Sequence, residues 1–269
     1  MDSLRMEDEQ LDPYLLFTIK DQNGNVVRHL KTSAKKGLQK IVWDFHYNTP
    51  APVAGRYKPG ADELFGSSED GVLAAPGQYT VALEKYEDGI LSPLAGPGSF
   101  TFKLLDNSSL PTDMNANAAF GQKVINLRKA VSAANDLINN MEQRLKNIDL
   151  AAADMPANSK SIVEESYKVR AELLKQRTLL FGDNTRGRRE FETEPSINDR
   201  VGGAEGVVTG NTSKVPKMYI ESFAVASKQF STLLGEMKKI HSSIEQLEKK
   251  LELNHAPYTT GRWPEWKGE

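Results

Sequence analysis

Four histidines, His29, His46, His241 and His255, are the whole imidazole supply of this chain. Imidazole is the side chain that most often carries proton transfer or binds a metal near neutral pH. No two of the four share a metal-ligand spacing, and a catalytic zinc site asks for three protein ligands. His241 and Glu245 stand four residues apart, which on a helix puts them on one face. They could supply two ligands, but no third is identifiable, so a solvated flank beside Ile240 and Ile244 is the preferred reading.

Asp21-Gln22-Asn23-Gly24 resembles the opening of a calcium loop, but the acidic residue that would close it is missing, since position 32 is Thr32. The stretch reads as a turn. There is no Gly-x-Ser-x-Gly, no phosphate-binding glycine loop with Lys and no dinucleotide fingerprint. Asp44, Asp62, Glu63, Glu69 and Asp70 are the carboxylates that glycosidic cleavage would draw on, and each reads as an ordinary loop or strand-end acid. Catalysis is not expected, nor any metal or cofactor.

Two polar clusters remain. Arg186, Arg188 and Arg189 precede Glu190, Glu192 and Glu194, with Arg200 close behind. They suit either an anion or partner site or internal salt bridges that hold a loop. Tyr258, Arg262, Trp263 and Trp266 give the tail three aromatic rings and a guanidinium. Such rings stack on sugars, or fold back and anchor the tail by burying about 150 to 250 Å² each. Anchoring is the expectation, and a glycan contact is its rival.

The elements that must position these groups follow from composition and period. A chain of 269 residues has room for two cores. Its 34 Lys and Arg against 36 Asp and Glu leave no basic footprint for nucleic acid and no polybasic anchor. It holds no cysteine, which removes disulfides, thiolate metal sites and cysteine nucleophiles together. The acidic, polar start does not read as a signal peptide, and no apolar run approaches the ~20 residues of a membrane span.

Leu15, Phe17 and Ile19 alternate with Leu16, Thr18 and Lys20 up to the Asp21-Gln22-Asn23-Gly24 turn, and Val26 to Leu30 reads as the returning strand. A third strand is expected over Gln39 to His46, with Ile41, Trp43 and Phe45 on one face and Trp43 in the core. Pro76-Gly77 opens another through Tyr79, Val81 and Leu83, and Phe100, Phe102 and Leu104 mark the last. Five strands at this spacing predict a Greek-key sandwich of about 90 residues.

From Phe120 the period changes. Val124, Leu127, Val131, Ala134, Ile138, Met141, Leu145 and Ile148 keep an unbroken 4,3 spacing, with Asp113 and Asn115 as caps. Ile162, Ser166, Val169, Leu173, Gln176 and Leu180 form a shorter seam that ends at Gly182. After Pro216, Tyr219, Phe223, Ala226, Phe230, Leu233, Met237, Ile240, Ile244, Leu247 and Leu251 form the third. The first and third helices span roughly 45 to 55 Å each, and the second cannot cover them. Their spare seam asks for another surface. The stretch 182–215 is expected to be a long loop, mobile from Gly202 to Ser213.

Asp21-Gln22-Asn23-Gly24-Asn25-Val26-Val27-Arg28, Gly37, Trp43-Asp44 and Pro76-Gly77-Gln78-Tyr79 together resemble the immunoglobulin-like module of flagellar hook-capping proteins and of many secreted bacterial proteins. With the helices included, the chain is similar to the C-terminal region of large bacterial proteins that carry sortilin-like, BNR-repeat β-propellers and are often labelled glycosyl hydrolases. Gly182-Asp183-Asn184-Thr185-Arg186, Pro195-Ser196-Ile197-Asn198-Asp199-Arg200 and Tyr258-Thr259-Thr260-Gly261-Arg262-Trp263-Pro264 join that resemblance. The propellers and their Asp-box repeats are missing, so no activity of theirs transfers to this chain.

The expected fold class is α+β and multidomain. Residues 1–12 are a linker or disordered, 13–106 an immunoglobulin-like β-sandwich, 107–254 an antiparallel bundle of three long helices with the loop 182–215, and 255–269 an aromatic tail. The expected role is a non-catalytic structural or interaction module, cut from or standing in for the end of a propeller protein. A carbohydrate-binding module is the alternative, and a hydrolase the third reading. Partners would be the preceding propeller domains, a second copy or a glycan, without nucleic acid or membrane insertion. The resemblance implies an exported location: periplasmic, outer-membrane-associated or extracellular.

Overall fold

The computed structural model describes residues 10–48, 71–104, 112–155, 159–189, 191–210, 212–260 and 266. Residues 1–9 of the expected 1–12 linker, and 49–70 of the connection that follows Tyr47, lie outside these residues. The chain divides into two compact units, one of Met1–Ile125 with Glu205–Val215, the other of Asn126–Ala204 with Pro216–Glu269. The coarse class is α+β, an antiparallel sheet followed by helices.

In the first unit, β1 (Tyr14–Asp21), β2 (Val26–Ser33), β3 (Gly77–Glu87) and β4 (Ile90–Phe102) form one sheet in the order β2-β1-β3-β4, every pair antiparallel. The first hairpin is closed by Asp21, whose Oδ1 accepts from the backbone N–H of Asn23 and of Asn25, both at 2.9 Å. Its Oδ2 accepts from Asn25 Nδ2 at 3.1 Å. This carboxylate-capped turn is what the Asp-Gln-Asn-Gly spacing serves. The second hairpin turns on Asp88 and Gly89, both with positive φ (52° and 79°), the requirement of a two-residue type I′ turn.

Two strand expectations are corrected. Residues 38–44 form no strand, and His46 makes only an isolated bridge to Leu73. Phe45 takes φ 64°, which breaks the pleat, and Asp44 Oδ1 turns back to accept from His46 N at 3.0 Å. Of the expected Phe100 to Leu104 strand, Phe100 to Phe102 is the end of a strand that begins at Ile90, and Leu104 lies beyond it. The strand's Ser92-Pro93-Leu94-Ala95-Gly96-Pro97 stretch carries two prolines, but β4 is an edge strand, where proline interrupts no further ladder.

The core of this unit joins Ile19, Val27, Ala74 and Tyr79, with Leu30, Trp43, Val81, Phe100 and Phe102 packed against them. Trp43 therefore belongs to the core as expected, though from an irregular segment laid over the sheet face. The helix α1 (Met114–Ala153) starts in this unit behind Asp113, whose Oδ1 caps Ala116 N at 3.0 Å. A Cβ at Gly121 would lie 2.5 Å from Val72 Cγ1, so only glycine lets the 71–74 segment approach the helix this closely.

The second unit is built from the rest of α1, from α2 (Ser159–Phe181), from the single turn α3 (Asn184–Gly187), from α4 (Ile197–Gly210) up to Ala204, and from α5 (Lys217–Leu253). Arg177 donates to Glu142 at 2.6 Å and Arg170 pairs with Asp149, so α1 and α2 run antiparallel. Lys250 reaches Glu165 from α5 at 2.5 Å. Val131, Ala134, Ile138, Met141, Leu145 and Ile148 of α1 are buried in one cluster with the seams of α2 and α5.

The expected long loop is corrected here. Residues 197–210 are helical, and Ile197, Val201, Ala204 and Val208 repeat the 4,3 spacing and are all buried. Its start is a reciprocal cap: Ser196 Oγ accepts from Asp199 N at 3.1 Å, while Asp199 Oδ2 accepts from Ser196 N at 3.0 Å. Ile197 and Val201 enter the same core as α1, α2 and α5. The seam that the shorter α2 leaves open is thus met from within the chain. Four glycines in the segment disguise it, because glycine lowers intrinsic helix propensity by about 1 kcal/mol per residue; packing supplies what propensity does not.

Candidate functional site

Among the described residues, the densest set of aromatic groups lies in the first unit, where β3 and β4 hold Tyr79 and Phe100 as cross-strand partners and the 38–48 segment lays Trp43 over them. The Trp43 ring stands edge-on to Tyr79 at 5.2 Å and to Phe100 at 6.0 Å between centroids. Phe45 stacks on Phe102 at 4.3 Å. The indole N–H donates to His46 O at 2.9 Å, and Tyr79 OH donates to Ala75 O at 2.5 Å. These rings are engaged with one another and with backbone carbonyls.

Burial pushes the Tyr79 phenol up to about 12, with smaller contributions from Tyr47 and Asp21. Burial likewise raises Tyr47. For Asp44, burial works upward, yet hydrogen bonds from His46 and the nearby Arg28 guanidinium leave its carboxyl below the usual range. The Tyr79 shift is a stability statement. The folded state favours the neutral phenol, so its contribution is complete below pH 10 and disappears as pH rises through 12. A denaturation series over that window should show about 2 kcal/mol lost from the wild type, and Tyr79→Phe should lose less. Equal losses in both proteins would place the dependence elsewhere.

The histidines are scattered. His29 on β2 faces Thr18 Oγ1 at 3.2 Å, and His46 Nδ1 lies 3.7 Å from Asp44 Oδ1. His255 follows α5 with φ 53°. Among the described residues no group of three or more His, Asp or Glu is placed to hold a metal. His241 is more than a solvated flank: its Nε2 lies 3.1 Å from Arg144 Nη1, and Arg144 also forms a two-pronged pair with Glu248 at 2.8 and 2.6 Å. Arginine only donates, so this contact requires an unprotonated Nε2. The hydrogen bonds that Arg144 donates to Glu248 raise its pKa further, and the ensemble ties α1 to α5. Glu245 lies 3.7 Å from the other ring nitrogen.

The arginine cluster separates into different roles. Arg186 sits on α3, and Arg188 and Arg189 follow it; all three are exposed. Asp183 caps this turn, accepting from Thr185 N at 2.9 Å and Arg186 N at 3.3 Å, and the Thr185 hydroxyl heads the contacts that hold its carboxyl low. Arg200 instead reaches across to α5, donating to Pro195 O at 3.2 Å and Ser222 Oγ at 3.4 Å. Tyr258 and Trp266 are 60% and 86% exposed, so neither ring is buried in the chain alone. Arg262 and Trp263 lie outside the described residues, as do Asp62, Glu63, Glu69 and Asp70.

Sequence reasoning overlooked Arg144 and Ser196. The signal for Ser196 was present as Ser-x-x-Asp before an apolar 4,3 run. Arg144 carried none, because its partners are 97 and 104 residues away. Among the described residues no helix is long and apolar enough to cross a membrane. In comparisons with protein families, curated proteins and solved structures, nothing matches this chain.

Proposed function

We propose that this chain is a structural and interaction module without catalysis of its own, of the kind that closes a secreted β-propeller protein. In this reading the four-stranded sheet belongs to an immunoglobulin-like sandwich, and the three long helices form a bundle that α4 completes. The observation that carries it is the inward packing of Trp43, Tyr79 and Phe100, with the indole N–H already bonded to His46 O. Rings so engaged provide cohesion and offer no platform for a sugar.

In this reading the contact surface lies elsewhere than on the helix seams. The spare-seam argument for a partner loses its force once Ile197 and Val201 fill the core beside α1 and α5. Among the apolar side chains left exposed, Val163, Tyr167 and Leu174 share one face of α2, 41%, 73% and 60% exposed, and the rings of Tyr258 and Trp266 are open as well. Apolar groups gathered on one helix face are what a partner covers. The expected result is self-association or capture of propeller domains in sedimentation and pull-down assays, weakened by truncation after Asn254. Hydrolysis of a glycoside, peptide or phosphate ester by the pure chain, abolished by one Asp or Glu substitution, would overturn the proposal. The carbohydrate-binding alternative is favoured by the exposure of Tyr258 and Trp266, and oligosaccharide binding lost on their joint replacement by Ala would establish it.

A further inference from the structure

A cleft of about 200 Å³ opens in the first unit between the β1–β2 turn, the start of β3 and the first turns of α1. Three features of its lining bear on what it could hold. Five carboxamides border it, Gln22, Asn23, Gln78, Asn115 and Gln122. Each presents a donor and an acceptor side by side, the pairing that a hydroxyl group, itself both donor and acceptor, can satisfy. The single charged side chain is Asp21, whose carboxylate already accepts two backbone N–H groups and the Asn25 amide. Its remaining lone pairs suit hydroxyl donors, and its charge disfavours anions. Gln122 Nε2 is buried without a hydrogen-bond partner. A donor left in that state is costly, and an acceptor from a ligand or an ordered water answers it.

Size and shape narrow the class further. The volume is below the roughly 300 Å³ at which drug-sized pockets begin, so the occupant is about one ring in size. Tyr47 supplies apolar surface beside the amides, and the small side chains of Ala118 and Ala119 leave the helix wall open. We propose that this cleft binds a small neutral polyhydroxylated compound, a single sugar ring or a cyclic polyol, with Gln122 Nε2 donating to one of its oxygens. This goes beyond the module reading and is independent of the exposed tail aromatics.

The test titrates the full chain with glucose, galactose, mannose, N-acetylglucosamine and inositol, read by ligand-observed saturation-transfer NMR and calorimetry, with glucuronate as the charged analogue. At least one neutral probe should bind with a Kd of about 1 to 10 mM, and glucuronate more weakly. Gln122→Leu should weaken that binding at least tenfold without lowering the melting temperature, since the lost donor had no protein partner. Ala119→Phe, at an exposed helix position, should fill the cleft and abolish binding. No neutral probe binding below about 50 mM would leave the cleft a water pocket and overturn the proposal. Binding that survives both substitutions, or that disappears only with Tyr258→Ala and Trp266→Ala, would overturn it as well.

Discussion

Val201→Asp is expected to cost the helical unit more than about 4 kcal/mol, the largest effect of any single change proposed for this chain. Val201 is 0% exposed, packed in the cluster that also holds residues of α1, α2 and α5. An unpaired carboxylate there must either lose its hydration or force α4 out of the core, and either route opens the seam that α2 does not reach. Chemical denaturation followed by the helical signal would measure the loss. Gly206→Ala is the companion, because Gly206 is exposed with open space around its Cα. It should stabilise the chain by about 0.5 to 1 kcal/mol through helix propensity. If α4 were a loop, both substitutions would fall within about 0.5 kcal/mol of zero. Val201 and Gly206 therefore test the same element from opposite signs.

Trp43→Ala should remove about 3 kcal/mol from the sheet unit, the low end of the range for a large aromatic, because the ring is partly rather than fully buried. The loss combines three contributions: the ring's contacts with Tyr79 and Phe100, its contact with Phe45, and the His46 carbonyl deprived of its indole donor. The far-ultraviolet helical signal should persist at temperatures where the near-ultraviolet aromatic signal has gone. Trp43→Phe should recover part of the stability, since a ring still fills the gap while the hydrogen bond remains lost. Unchanged stability in Trp43→Ala, with loss of binding to a glycan or protein, would make this ring a recognition residue and reverse the account of the sheet.

Much of this architecture could be read from side-chain period alone. The 4,3 seams of α1, α2 and α5 were plain because a long helix repeats its buried face every three or four residues, and Asp113, Gly182 and Pro216 mark its ends by local backbone chemistry. The first hairpin was equally local: Asp21 closes its own turn within four residues. Three features depended on contacts distant in the chain. The helix α4 exists because Ile197 and Val201 find a core already shaped by other helices, which outweighs four glycines. The segment around Trp43 has the alternation of a strand, but the left-handed turn at Phe45 takes it across the sheet face. β4 tolerates Pro93 and Pro97 because it lies at the sheet edge, a fact of strand order that no local window contains. The cleft beside Gln122 belongs with these. Its walls come from a hairpin turn, a strand and a helix that lie up to about a hundred residues apart, and only folding places five separate amides around one space.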